Sequence, residues 1–211
     1  MTDVFDLYAQ EYDAWFERFP PVYRSELAAV QALLPTVGRG LEIGVGTGRF
    51  AQPLGITFGV EPSPAMAAIA QQRGIQVVRA DAGYLPFPPE TFDTVLLVTV
   101  LCFLPDPRQV LREASRVLKP QGRLVIALLD PDSPPGRRLK AGKASSRFFQ
   151  QAHFLGVDQV MAWLRELGYQ DIRGCQTIFA DLAAISEPEP LRPGHGDGLF
   201  VVLAAIKMAR E

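Results

Sequence analysis

The sequence contains little cysteine and little histidine, and this scarcity excludes several classes of protein. Its 211 residues include two cysteines, Cys102 and Cys175, and two histidines, His153 and His195. Two cysteines so far apart in the chain form neither a disulfide framework nor a zinc-binding cluster. We therefore expect no metal site and a reducing, cytoplasmic location.

The sequence also lacks a large net charge and a long apolar run. A formal charge of −2 gives no signal for binding nucleic acid or an anionic membrane. Basic residues do cluster at 137–143, where a solvated loop and a basic patch are both compatible with the pattern. The stretch Val95–Leu104 includes Thr99 and is too short to span a bilayer, and the acidic N-terminus has no secretory core. We expect no nucleic-acid partner and no membrane span.

Short apolar strands alternate with amphipathic helices over residues 39–129. The strands are predicted at 39–45, 56–61, 75–80, 92–100 and 122–129, and the helices between them at 64–73 and 106–119. This alternation indicates βαβ units and a parallel sheet. Two later strands, near 169–180 and 198–208, have no helix between them and are predicted to be antiparallel. The fold class is therefore α/β: a three-layer doubly wound, Rossmann-like sheet of seven strands, mostly parallel with the last strand antiparallel.

We expect one domain over residues 1–211, divided into four parts. Helices predicted at 4–19 and 22–34 form an N-terminal helical lid, residues 1–35, and the core that binds a cofactor follows at 36–129. Residues 130–156, rich in proline, glycine, serine and lysine, form a mobile insertion, as a loop or short helix. A C-terminal helix at 157–167 and the antiparallel strand pair complete the domain over 157–211.

The segment LEIGVGTGRF, residues 41–50, places three glycines within five positions after an apolar strand. A dinucleotide-binding loop requires a third glycine where Arg49 stands, and the lysine of a P-loop is missing as well. Glu42 comes two residues before the first glycine, Gly44. A carboxylate there is unfavourable beside a phosphate and suits a ligand with positive charge.

Two further acids follow the next strands along the chain. Glu61 ends the second strand and Asp81 ends the third. Open α/β sheets bind ligands at the carboxyl edge, and an acid at the tip of the second strand commonly holds a ribose diol. With Glu42, these residues predict a site for an adenosine ligand that has no phosphates and carries cationic groups.

Four segments resemble, in order, the class I S-adenosylmethionine-dependent methyltransferases of the UbiE-like, type 11 kind. They are LEIGVGTGRFA, GVEPSPAMAAIA, RADAGYLPFPPETFDTVLLVTVLCFLPDP and REASRVLKPQGRLVIAL, within about residues 39–129. The resemblance implies that the cofactor is S-adenosyl-L-methionine. It also implies contacts with the methionine part from Gly44, Gly46, Gly48 and Glu42, with the ribose from Glu61, with the adenine from Pro62, Asp81 and Ala82, and a floor formed by Thr99 and Val100.

The function that this resemblance implies is transfer of a methyl group, by in-line displacement, to a small-molecule acceptor. Phenylalanines in the predicted walls indicate a partly apolar acceptor, and we expect a monomer or a homodimer. His153 is a candidate general base, or a histidine packed among the phenylalanines near it. Tyr12 is a candidate hydrogen-bond partner of cofactor or substrate, or a residue of the helix core. The cysteine at Cys102 is interpreted as an inert buried thiol.

Other functions remain open at this stage. A non-catalytic sensor that binds S-adenosylmethionine and a partner protein would have the same glycine loop. An NAD-dependent oxidoreductase is disfavoured by Arg49, and RNA methylation is disfavoured by the charge. The loop at 181–198 is also predicted to overhang the ligand, which would bring Arg192, His195 and Asp197 near the site.

Overall fold

A computed structural model describes residues 2–34 and 38–208. The helices are α1 (Thr2–Leu7), α2 (Ala9–Arg18), α3 (Pro20–Leu33), α4 (Pro64–Gln72), α5 (Pro107–Val117), α6 (Pro134–Gly142) and α7 (Val157–Glu166). The strands are β1 (Gly40–Ile43), β2 (Phe58–Val60), β3 (Gln76–Val78), β4 (Phe92–Val98), β5 (Leu118–Leu129), β6 (Tyr169–Thr177), β7 (Arg192–Pro193) and β8 (Phe200–Lys207). The predicted boundary between lid and core, at residues 35 and 36, lies outside the described residues.

The strands form a single sheet in the order β3-β2-β1-β4-β5-β8-β6-β7. The first five strands of that order pair in parallel, and β8 runs antiparallel to β5 and β6. This topology confirms the predicted fold class, but the described residues form eight strands and not seven. The additional strand β7 has two residues and forms by pairing with β6, so it has no alternating pattern of its own for sequence analysis to detect.

Helices cover both faces of the sheet, as the apolar strands require. Along β5, Leu124, Ile126 and Leu128 face a core that includes residues of α5 and α7. Their neighbours Val125 and Ala127 face a second core that includes residues of α2 and α3. The carboxyl ends of the parallel strands are therefore the edge that the helices leave available for a site.

Local sequence explains where several elements begin. The Ser63 hydroxyl accepts a hydrogen bond from the backbone of Met66, and Pro64 occupies the first turn of α4, so these two residues specify where the helix begins. The helix predicted over 4–19 is two helices, α1 and α2, that meet at Tyr8. The helix predicted at 22–34 begins two residues earlier, because Pro20 and Pro21 form the first turn of α3, where a missing N–H costs nothing.

The insertion that was predicted as a mobile loop or short helix contains α6. Ser133 caps the start of this helix, because its hydroxyl accepts a hydrogen bond from the backbone of Gly136. A single 3-10 turn, Lys143–Ser145, follows it and leads into the phenylalanine-rich segment around Phe148. None of the helices in the described part of the chain is long and apolar enough to cross a bilayer.

Candidate functional site

A cavity of about 330 Å³ opens at the carboxyl ends of β1, β2, β3 and β4, and we call it the strand-edge cavity. Parallel strands bring these ends together although their residues are far apart in the chain. The lining residues that sequence analysis had assigned to a ligand site are Tyr12, Gly44, Gly46, Glu61, Pro62, Asp81, Ala82, Thr99 and Val100. The cavity is also lined by Phe5, Val60, Ser63, Met66, Val98, Phe103, Leu104 and Pro105.

The three glycines of the loop after β1 have different surroundings. Gly44 has a φ of +70°, and a Cβ atom there would lie 2.4 Å from Cγ2 of Val100. At Gly46, also at positive φ, the nearest atom to such a Cβ is Cε1 of Tyr12, at 3.9 Å. Gly48 does not line the strand-edge cavity, and its Cβ would lie 2.5 Å from Cδ1 of Ile75. Gly44 and Gly48 are therefore required by packing, whereas Gly46 leaves open space beside the cavity.

Glu61 is buried at the end of β2 and anchors the glycine loop. Its Oε2 accepts a hydrogen bond from the Gly46 N–H and its Oε1 from the Ser63 N–H, both at 3.0 Å. Burial raises the pKa of Glu61, although these two N–H donors partly offset the effect. Each oxygen retains a second lone pair that can accept a hydrogen bond from a ligand.

Glu42 lies deeper, in a small recess that it shares with Gly44, Tyr12 and Arg49. The residue is 2% exposed, and its Oε2 has no hydrogen-bond partner among the described residues. Burial raises the pKa of Glu42 well above its usual value, a hydrogen bond from the Ala51 backbone opposes the shift, and the charge of Glu61 adds to it. A buried carboxylate oxygen without a partner beside a cavity points to a ligand with hydrogen-bond donors or positive charge.

Arg49, which replaces the third glycine of a dinucleotide loop, fastens α2 to the glycine loop. Its Nε and Nη2 donate to the carboxylate of Asp13 at 2.9 and 2.5 Å, and Nη2 also lies 2.8 Å from Glu17. Arg73 donates to the same Asp13 carboxylate at 2.8 Å. Burial alone would raise the pKa of Asp13, but the hydrogen bonds from the two arginines outweigh it and hold the pKa well below its usual range.

A second cavity, of about 130 Å³, adjoins the first, and we call it the aromatic cavity. The two cavities share Phe5, Tyr12, Thr99 and Phe103. The other residues that line the aromatic cavity are Trp15, Phe16, Glu26, Phe50, Leu129, Leu139, Phe148, Phe149, Leu182 and Leu199. Apart from Tyr12, Thr99 and Glu26, every one of these side chains is apolar or aromatic.

Tyr12 lies between the two cavities and near three buried acids. Burial raises its pKa, and the charges of Glu26, Glu42 and Glu61 raise it further. Its ring contacts those of Phe5, Phe16 and Phe148 edge to face. The hydroxyl is therefore protonated at neutral pH and can act as a hydrogen-bond donor.

Thr99, at the end of β4, forms part of the wall between the cavities in a strained conformation. Its φ is +50°, a left-handed value that is rare for a β-branched residue. Its N–H donates to the Ala127 carbonyl at 2.9 Å, and its own carbonyl accepts from Sγ of Cys102 at 3.3 Å. Burial raises the pKa of Cys102 to about 12, so its thiol stays protonated.

Several predicted residues lie outside both cavities. The His153 side chain is exposed, and its backbone N–H donates to the Cys102 carbonyl at 2.7 Å. Arg192 lies over the ring of Phe179, and Nε2 of His195 is 3.4 Å from a carboxylate oxygen of Asp158. The loop at 181–198 contributes Leu182 to the aromatic cavity, and Leu199 follows directly after the loop. Arg192, His195 and Asp197 do not line the cavity.

Glu26 is a site residue that sequence analysis missed. It lies on α3 in the buried stripe formed with Val22, Ala29 and Val30, at the i+4 position from Val22. An acid in the apolar stripe of an amphipathic helix is unusual, and this spacing is the signal that could have identified it.

Comparisons with known proteins agree on one family. A family model described as "Methyltransferase domain" matches residues 41–126. A crystal structure from Thermotoga maritima of a "SAM-dependent methyltransferase, possible histamine N-methyltransferase" is 43% identical, covers 98% of this chain and 100% of its own, and superimposes with a TM-score of 0.94.

Two other relatives align with this chain over different lengths. An uncharacterised protein of Methanocaldococcus jannaschii is 44% identical over 206 residues, which are 98% of this chain and 100% of that protein. A phosphatidylethanolamine N-methyltransferase of Cereibacter sphaeroides is 37% identical over 101 residues, 42% of this chain and 49% of that enzyme. With the fold, the glycine loop and these relatives, the chain belongs to the class I S-adenosylmethionine-dependent methyltransferases, and S-adenosyl-L-methionine is its cofactor.

Proposed function

We propose that this protein transfers a methyl group to a small, partly apolar molecule, with the cofactor in the strand-edge cavity and the acceptor in the aromatic cavity. The observation that carries the proposal is that two cavities of different chemistry lie side by side. Tyr12 and Thr99 line both of them. One cavity carries acids at strand ends, and the other is almost wholly apolar. A transferase needs two such binding places in contact, because the methyl group moves directly from one to the other.

The residues of the strand-edge cavity fit the cofactor. Gly44 and Gly46 would lie against its methionine part. Glu42, in the recess beside this cavity, would pair with the ammonium through the oxygen that has no partner among the described residues. Glu61 would accept hydrogen bonds from the ribose hydroxyls. The remaining contacts, to the adenine, would come from Pro62, Asp81 and Ala82.

The cofactor supplies an electrophilic methyl group when it is bound, and the protein supplies position and exclusion of water. Phe5 packs edge to face on Phe103 and stacks on Phe148, so rings from three parts of the chain cover the junction of the cavities. The Tyr12 hydroxyl can donate a hydrogen bond at the same place. These residues align donor and acceptor and need not remove a proton when the acceptor is already nucleophilic.

The direct test combines binding with turnover. Isothermal titration calorimetry measures the affinity for S-adenosylmethionine, and mass spectrometry then detects methylated products in a panel of small amines, phenols, thiols and acids. The name of the Thermotoga maritima relative makes amines the first acceptors to test. Methylation of a panel member supports the proposal, and an absence of cofactor binding contradicts it.

The alternative is a non-catalytic sensor of S-adenosylmethionine. Its supporting observation is the lid of α1 and α2, which contacts the strand-edge cavity through Phe5 and Tyr12 and could change position with the ligand. A sensor would bind the cofactor tightly and methylate no compound in the panel. Transfer to any acceptor at a catalytic rate excludes this reading.

A further inference from the structure

The carboxylate of Glu26 has no explanation in cofactor binding. It lies in the wall of the aromatic cavity and is absent from the wall of the strand-edge cavity. The residue is 8% exposed. Within residues 2–34 and 38–208 we find no hydrogen bond or ion pair to its side chain, so nothing that the structure describes neutralises it.

An unpaired carboxylate in such surroundings is energetically unfavourable in its charged form. Moving a carboxylate out of water is strongly unfavourable unless a cation or strong donors replace the water. Burial accordingly raises the pKa of Glu26 to about 8. Tyr12 is the other titratable residue in the described wall of this cavity, and it contributes no positive charge.

The rest of the wall favours a cation with an apolar body. The rings of Trp15, Phe16 and Phe149 offer π faces and edges, and the face of an aromatic ring attracts an ammonium group. Leu129 and Leu139 add aliphatic surface that suits hydrocarbon. Neither lysine nor arginine is among the residues that line the cavity, so nothing there repels a positively charged guest.

We propose that the aromatic cavity binds an amine with an apolar or aromatic body, and that Glu26 is the carboxylate that pairs with its ammonium group. This inference rests on the proposed function and assigns its acceptor class. The same carboxylate can take the proton that an ammonium must lose before its nitrogen can react. The nitrogen lone pair then forms the N–C bond as the S–C bond breaks, which leaves a methylammonium product, a neutral thioether and a proton on Glu26 that passes to solvent.

The test compares amines with neutral molecules of the same shape. Calorimetry in the presence of saturating S-adenosylhomocysteine measures the binding of benzylamine, benzyl alcohol, 2-phenylethylamine and 2-phenylethanol. The wild-type protein should bind an amine about 10- to 100-fold more tightly than the matching alcohol, the effect expected of a bond to a charged group. The Glu26→Gln variant should lose this preference while its affinity for the alcohol is unchanged, and Glu187→Gln, at an exposed position, should retain the preference.

The affinity for S-adenosylhomocysteine distinguishes a failure of this proposal from a failure of the proposed function. Glu26→Gln should leave that affinity unaltered. An amine preference that persists in Glu26→Gln, or wild-type protein that binds no amine more tightly than its alcohol, overturns the proposal even when S-adenosylhomocysteine binds. Wild-type protein that fails to bind S-adenosylhomocysteine contradicts the proposed function itself. Glu26→Asp, which keeps the charge on a shorter side chain, should keep part of the preference and serves if Glu26→Gln does not fold.

Discussion

Glu26, Glu42 and Glu61 are all buried near the Tyr12 ring, although carboxylates are among the side chains that proteins bury least often. Burial raises the pKa of each of them. Backbone N–H groups offset part of the cost for Glu42 and Glu61, but not for Glu26. The ligand-free protein therefore holds carboxylates whose ionisation a bound cation would favour.

The Glu26→Gln substitution should change how stability depends on pH. The folded-state pKa of about 8 lies above the usual 4.5, so the native state binds the extra proton between these values. This contribution to stability is complete below pH 4.5 and is lost as pH rises through about 8. As pH rises over that range, the free energy of unfolding of the wild type, measured with urea, should fall by about 3–5 kcal/mol relative to that of Glu26→Gln. Parallel pH profiles for the two proteins would contradict the buried position of the carboxylate.

The Glu61→Ala substitution should weaken cofactor binding by about 1–3 kcal/mol, which is roughly 5- to 150-fold in Kd. The loss arises from hydrogen bonds to the ribose and from looser positioning of Gly46, whose N–H the carboxylate accepts. Calorimetry with S-adenosylmethionine measures the effect, and Glu187→Ala is the matched control at an exposed site. Unchanged affinity in a folded Glu61→Ala protein would show that the ribose assignment is wrong.

The two glycines that line the strand-edge cavity should respond differently to alanine. At Gly44 the new Cβ would lie 2.4 Å from Val100, so Gly44→Ala should lower Tm and abolish binding together. At Gly46 the nearest atom is 3.9 Å away, so Gly46→Ala should fold, with a backbone cost of about 1–2 kcal/mol, and lose cofactor affinity. Thermal unfolding and calorimetry on both variants separate packing from binding. Equal Tm values for the two variants would contradict this distinction.

At the scale of elements, the position of α2 depends on the contacts of Asp13 with Arg49 and Arg73. The Asp13→Asn substitution should lower the free energy of unfolding by about 1.5–3 kcal/mol, because two partly buried arginines lose a charged partner. Glu17→Gln is the matched control: Glu17 meets Arg49 from the solvent side with 73% of its side chain exposed, and its removal should cost less than about 1 kcal/mol. Chemical denaturation at neutral pH measures both, and equal losses would argue against the anchoring role of Asp13.

The core elements could be predicted from sequence because their signals are local. Val95–Val98 is apolar on both faces of a strand, and Ser63 with Pro64 specifies the start of α4. The break between α1 and α2 could not be predicted, since no glycine or proline occurs at Tyr8. It accompanies tertiary contacts, in which Phe5 packs against Phe103 and Phe148 from later parts of the chain.

The residues of the candidate site likewise fall into those that could be predicted from the sequence and those that could not. Glu61 and Asp81 could be placed in it because parallel topology fixes where strands end. Glu26 could not, because only the packing of α3 against the sheet shows which helix residues reach the aromatic cavity. The roles predicted for His153 and Gly48 rest on neighbours in the sequence and on family resemblance, and the structure places both residues outside the two cavities.

At the scale of the whole molecule, the site is covered by two segments that are far apart in the chain. Arg147 pairs with Glu11 at 2.5 Å and lies over the ring of Tyr8, while Phe148 stacks on Phe5. The N-terminal helices and the segment after α6 therefore meet above the cavities.

Cofactor binding should release protons from the molecule. Glu42 and Glu61 have raised pKa values in the ligand-free protein, and the ammonium and sulfonium charges of the cofactor favour their ionised forms. Titrations at neutral pH in two buffers of different ionisation enthalpy should therefore give different apparent heats. The difference should shrink in Glu42→Gln. Heats that do not depend on the buffer would contradict the pairing of these carboxylates with a cationic ligand.

The left-handed backbone at Thr99 has a consequence for how this enzyme can be altered. A threonine held at a φ of +50° costs about 1–3 kcal/mol of folding free energy. Glycine or asparagine would relieve that strain but would loosen the wall that both cavities share. Stability and turnover are therefore in conflict at this position, and variants selected for heat resistance alone should gain stability there at the expense of activity.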